Sequence, residues 1–143
     1  MVIRSFLAAL FVLIGTFVSY AGDVSGTWLT QAGDARIAVS RCGLEICGRI
    51  VWLKDPIDGA TGKAQTDDKN PNPSLAKRKI LGLSILSAMK PKGASWSGSI
   101  YNADDGKTYA TTIVLMNENS LKVTGCVGSL CGSETWSRVG RRN

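Results

Sequence analysis

Histidine is absent from all 143 residues. That absence excludes Ser-His-Asp and Cys-His catalysis and every His-ligated metal site. It also removes the side chain that most often moves protons near neutral pH. Charge is not strongly biased either: 17 basic residues face 11 acidic ones, a net +6. The basic residues are scattered apart from Lys77-Arg78-Lys79 and Arg141-Arg142. Solvated surface explains such short clusters, and no nucleic-acid partner is expected. Long apolar runs are missing beyond the first 21 residues, so no membrane span is expected in the remainder.

The one apolar run has its own signature. Arg4 precedes an uncharged stretch from Phe6 to Val18, and Ser19-Tyr20-Ala21 closes it with small residues three positions and one position before a cut at Ala21/Gly22. That is the three-part pattern of a secretory signal peptide. The stretch falls short of the roughly 20 residues a spanning helix needs. No cysteine follows the cut, so a lipid anchor is not expected. Residues 1–21 are therefore read as a signal peptide and 22–143 as one domain, destined for the periplasm or for secretion. Its 122 residues are enough for a core of its own, and it carries 16 basic and 11 acidic residues.

Export bears on the four cysteines, Cys42, Cys47, Cys126 and Cys131, which form two C-x4-C units. In an oxidising compartment an even count reads as disulfides rather than as a zinc site. The C-x-x-C spacing of a redox-active pair is lacking.

Strand signals dominate the domain. Gly26–Thr30, Arg36–Arg41, Ile46–Leu53, Ile80–Ala88, Trp96–Tyr101, Tyr109–Met116, Leu121–Cys126 and Thr135–Val139 read as eight short strands. Ile46, Ile50 and Trp52 are assigned to one face with Gly48, and Gly98 marks a bend or bulge. Asp105-Gly106 and Asn117 to Ser120 read as hairpin turns. Lys54–Lys79 holds three of the four prolines, no aromatic residue and no strand period. It reads as a long loop or lid insert, with room for a helical turn over Pro73–Lys79.

Eight consecutive strands favour a small up-and-down antiparallel barrel. In such a barrel, connections 1–2, 3–4, 5–6 and 7–8 share one end, the top, and the other three share the bottom. Cys42 and Cys47 then fall in a bottom loop, and Cys126 and Cys131 in a top loop. Cross-links between the units would far exceed the Cα separation of about 7 Å that a disulfide allows. The expected bridges are Cys42–Cys47 and Cys126–Cys131. Trp28 and Arg138 meet at the bottom, where a guanidinium stacked on the indole would seal the floor.

Gly26-Thr27-Trp28 with a late Arg138 resembles the G-x-W plus Arg signature of lipocalin-like barrels. More broadly, residues 24–139 resemble a bacterial exported family, domain of unknown function 2147. The resemblance is carried by GTW at 26–28, CGLEICGRIVWL at 42–53, Asp67-x-x-Asn70-Pro71-Asn72-Pro73, ILGLSIL at 80–86, WSGSIYNADDGKTY at 96–109, VTGC at 123–126 and TWSR at 135–138. It implies a small exported β domain with no settled activity.

The candidate site is the polar top. Asp67, Asn70 and Asn72 lie in the long 3–4 connection. Asp104 and Asp105 lie in the 5–6 connection between Tyr101 and Tyr109. Loops on a rigid scaffold concentrate binding residues, and the mouth of a barrel is a common ligand site. Turn geometry alone also accounts for Asp and Asn there. Trp52 and Trp96 are assigned to the core. Hard-cation binding lacks the EF-hand spacing, so no metal or cofactor is assigned. The leading expectation is a monomeric, non-enzymatic binding protein of lipocalin-like type, holding a small or amphipathic molecule at the barrel mouth. The alternatives are a module that docks on an envelope protein, for instance an inhibitor of a wall-degrading enzyme, and a hydrolase using Asp67 or Asp104.

Overall fold

The computed structural model describes residues 22–140. The signal-peptide assignment and Arg141-Arg142 lie outside them. Eight antiparallel strands close into a barrel in chain order. They are β1 Gly26–Leu29, β2 Ala35–Cys42, β3 Glu45–Leu53, β4 Ser84–Lys92, β5 Ser95–Asn102, β6 Lys107–Asn117, β7 Ser120–Val127 and β8 Leu130–Arg138. Closure rests on Trp28↔Arg138 and Leu29↔Ser137 between β1 and β8. β8 continues well past that short contact, so its Leu130–Glu134 segment has no β1 residue beside it.

Period-two alternation explains most of the inward set. Ala35, Ile37 and Val39 of β2, and Leu121 and Val123 of β7, are buried while their neighbours are less so. The lower half of the barrel is filled by Trp28, Val39, Ile46, Leu86, Met89, Ile113 and Leu121. Each fully buried aliphatic side chain contributes about 1.5–3 kcal/mol. At the floor, the Arg138 guanidinium lies 4.2 Å from the Trp28 ring centre. Its nitrogens donate to three carbonyls, Glu118 (2.5 Å), Ser25 (2.8 Å) and Asp23 (3.0 Å). Gly26 fits beneath: its φ is +143°, and a Cβ there would stand 2.5 Å from Arg138 Nη1. The bridges are Cys42–Cys47 and Cys126–Cys131.

Five expectations need correction. Trp52 is not core; it is 37% exposed on the outer wall, with Arg36 stacked 4.7 Å from its ring centre. The cause is a register irregularity opposite Arg36/Ile37, where Ile50 pairs with Ile37 and Trp52 with Arg36. Val51 is the extra residue, so the side chains beyond it change face. The fourth strand begins at Ser84, not Ile80, and runs to Lys92. Ile80 and Leu83 are apolar because they pack against the core from the loop. The bulge expected at Gly98 lies across from it on β4, where Ala88 has φ +52° and the register shifts between Ser87 and Lys90. Gly98 admits the bulge, since a Cβ there would meet the Ala88 carbonyl oxygen at 2.6 Å. Pro73–Lys79 forms successive turns, with Leu75 N donating to Asn72 and Arg78 N to Leu75, and no helix. The last strand also starts earlier than expected, at Leu130.

Candidate functional site

Above the filled half the barrel is hollow. A cavity of about 880 Å3 opens at the top, lined in part by the 1–2, 3–4 and 5–6 connections and by the ends of β7 and β8. Ile37, Ile50, Ile85, Ile100, Val123 and Trp136 form its apolar wall and floor. The hollow has a sequence cause. Inward positions shrink toward the top, to Ala35 on β2 and to a facing pair of glycines, Gly125↔Gly132, on β7 and β8. A Cβ at Gly132 would meet no atom within 4 Å. Where β1 stops, the Thr30–Asp34 turn and the upper part of β8 form the adjoining rim.

Three of the expected site residues line this cavity: Tyr101, Asp104 and Tyr109. Asp67, Asn70, Asn72 and Asp105 do not. Asp67 is the keystone of the loop between β3 and β4. It has no exposed surface, yet Oδ1 accepts from the Tyr101 hydroxyl at 2.5 Å. Its Oδ2 accepts from Asn70 Nδ2 and from Arg78 Nε, each at 2.9 Å. Burial alone would raise its pKa. The three donors and the Arg78 charge outweigh burial and hold the carboxyl below its ordinary range. Tyr101 is raised in turn by burial and by its bond to Asp67.

The loop backbone is tied at the same place. Asp67 N donates to the Arg78 carbonyl at 2.9 Å, and Thr66 bridges Lys79. Lys69 presses on the 5–6 turn so closely that a Cβ on Gly106, at φ +71°, would stand 2.0 Å from its carbonyl oxygen. Asn72 orders the next turn, accepting from Ser74 N (3.1 Å) and Ser74 Oγ (2.8 Å). Asp105 accepts from Lys107 N at 2.9 Å and from the Tyr109 hydroxyl. The latter bond holds Asp105 low and raises Tyr109.

Sequence reasoning missed other lining groups, among them Asp34, Asp55, Gln65 and Glu134. Glu134 was findable: counting back by twos from the inward Trp136 places Glu134 and Gly132 inside. Glu134 accepts from the Trp136 indole, and Asp34 from Thr30 Oγ1 at 2.6 Å. Among the described residues no group of His, Cys, Asp and Glu side chains could hold a metal ion. None of their helices is long and apolar enough to cross a membrane.

The family model described as an uncharacterized protein conserved in bacteria, DUF2147, matches residues 26–138. The chain belongs to that family. Its matched span runs from the glycine under Arg138 to Arg138 itself, so it takes in the whole barrel. A solved structure, protein HP1028 from the human pathogen Helicobacter pylori, is similar at 26% identity and a TM-score of 0.70. The likeness covers 82% of this chain and 84% of that one, and HP1028 is described as belonging to the lipocalin family. No curated protein matches the chain. The eight-strand DUF2147 barrel described above is thus lipocalin-like.

Proposed function

We propose that this DUF2147 protein is an exported binding protein of lipocalin-like type that holds a small, partly apolar molecule in its upper cavity. The observation that carries the reading is the cavity: about 880 Å3, apolar below, polar at its opening, over a packed lower half. Ligand pockets span roughly 300–1,000 Å3 and share that distribution of polarity. The lipocalin family of HP1028 supports the same reading. The signal-peptide pattern of residues 1–21 and the two disulfides support the periplasm or the exterior as its place of work. Tyr101, Asp104 and Tyr109 contact the ligand. Asp67, Asn70, Asn72 and Asp105 act through them, by holding the loop and the rim in place. Because Asp67 is engaged by three donors, it positions Tyr101 rather than attacking a substrate.

The test fills the hollow without disturbing the fold. Gly132→Ile adds a side chain into open space on a strand, where a β-branched residue is favoured. Binding of the uncharged fluorescent probe N-phenyl-1-naphthylamine is measured on the oxidised domain 22–143. The wild type should bind it, and the variant should bind at least about tenfold more weakly with unchanged thermal stability. Equal binding by a folded variant would place the probe elsewhere and refute the reading.

A further inference from the structure

The charge around the cavity is sorted. The chain carries a basic excess, yet no Lys or Arg lines the cavity, while Asp34, Asp55, Asp104 and Glu134 do. None of these four carboxylates forms an ion pair among the described residues, where Arg78–Asp67 is the salt bridge found. Asp34 and Glu134 each hold one neutral donor, Thr30 and Trp136. The carboxylates of Asp55 and Asp104 accept no hydrogen bond from the described residues. All four residues are exposed and keep their water, so a cationic head among them gains attraction that a neutral head lacks and an anionic head would meet as repulsion. Below it, the wall of Ile50, Ile85, Ile100 and Val123 offers no partner to a polar group.

We infer that the ligand is a cationic amphiphile, an aliphatic or aromatic body bearing an amine or quaternary ammonium head. The apolar body occupies the hollow above Trp136. The cationic head stays at the opening among Asp55, Asp104, Glu134 and Asp34, beside the rings of Tyr101 and Tyr109. Two independent features support this class: a hollow with an apolar wall and floor that fits the body, and a lining whose charged side chains are all acidic.

The inference rests on the binding reading above, and one comparison separates their failures. Decyltrimethylammonium, decanoate and decan-1-ol share a ten-carbon chain and differ in head charge. Each is titrated calorimetrically into the oxidised domain 22–143, below its micellar concentration. The cation should bind at least about tenfold more tightly than the anion at low salt, and the preference should shrink as ionic strength rises. In Asp55→Asn/Asp104→Asn the cation should lose most of that advantage over the anion, and an undiminished preference would overturn the cationic head. Equal affinity for all three would overturn the cationic head and leave the binding reading standing. Tighter binding of decanoate would overturn it as well. If none of the three binds, both readings fall.

Discussion

Asp67→Asn isolates the charge that anchors the long loop. The substitution keeps the shape of the side chain and removes its ionisation. A hydrogen bond to a charged group contributes about 1.5–3 kcal/mol and a neutral one about 0.5–1.5 kcal/mol. At the middle of those ranges, each of the three bonds to Asp67 weakens by about 1 kcal/mol. Arg78 is 38% exposed and recovers part of its loss from water. The expected cost is about 2 kcal/mol at neutral pH. Its pH dependence follows from linkage. The Asp67 carboxyl is held below its ordinary value in the folded state. Its contribution is then complete above the unfolded pKa of about 3.9 and disappears as pH falls through the folded value. Asp23 and Asp105 are also held low, but they titrate alike in both proteins and cancel in the difference. Urea unfolding of wild type and Asp67→Asn at pH 7, and at steps below about pH 4, gives the difference directly. It should shrink in acid toward zero. A difference that stays constant across that range, or one under about 0.5 kcal/mol at pH 7, would refute the anchoring role of the charge.

Two further perturbations test the floor and the bridges. Arg138→Lys keeps the charge but cannot reach three carbonyls and a ring face together, so a loss of about 2 kcal/mol in urea unfolding is expected. A loss below about 0.5 kcal/mol would mean that the guanidinium fork is dispensable. Reducing the disulfides opens only short loops, each contributing about 2 kcal/mol in the chain-entropy model. The reduced domain should remain a cooperatively folded barrel at 25 °C by circular dichroism and urea unfolding, and outright unfolding would show that the bridges do more than close hairpins.

The barrel was legible where alternation ran unbroken. β2, β6 and β7 carry their inward residues at every second position, and their faces follow directly. Alternation fails where one residue is inserted. A single extra residue, Val51, puts Trp52 outside, and no local composition announces it. The apolar run at 80–86 misled for a different reason: a loop that packs over a barrel also needs apolar contacts, so Ile80 and Leu83 look like strand residues. At the candidate site, turn chemistry drew attention to the 5–6 connection, because Asp-Gly needs a turn wherever the fold puts it. The same chemistry could not separate Asp104, which faces the cavity, from its neighbour Asp105, which caps the turn. That distinction depends on which way a loop faces, a tertiary fact.

On the proposed binding role, the two halves of the barrel divide the demands of folding and binding. Large side chains, Trp28, Met89 and Leu86 among them, close-pack the lower half, where a lost methylene leaves a cavity that costs stability. The upper half gives up such packing: the Gly125–Gly132 pair and Ala35 leave space that a larger residue would fill. That half must therefore be held by other means, and each is visible at the rim. Cys126–Cys131 clamps the 7–8 hairpin just above the glycine pair. Asp67 clamps the loop after β3 to Tyr101. Asp105 clamps Tyr109 on the next strand. These devices surround the hollow without filling it, so they keep it open at the level where the unpaired acids stand. Substitutions below the level of Trp136 should therefore act through stability, and those above it through what the cavity admits.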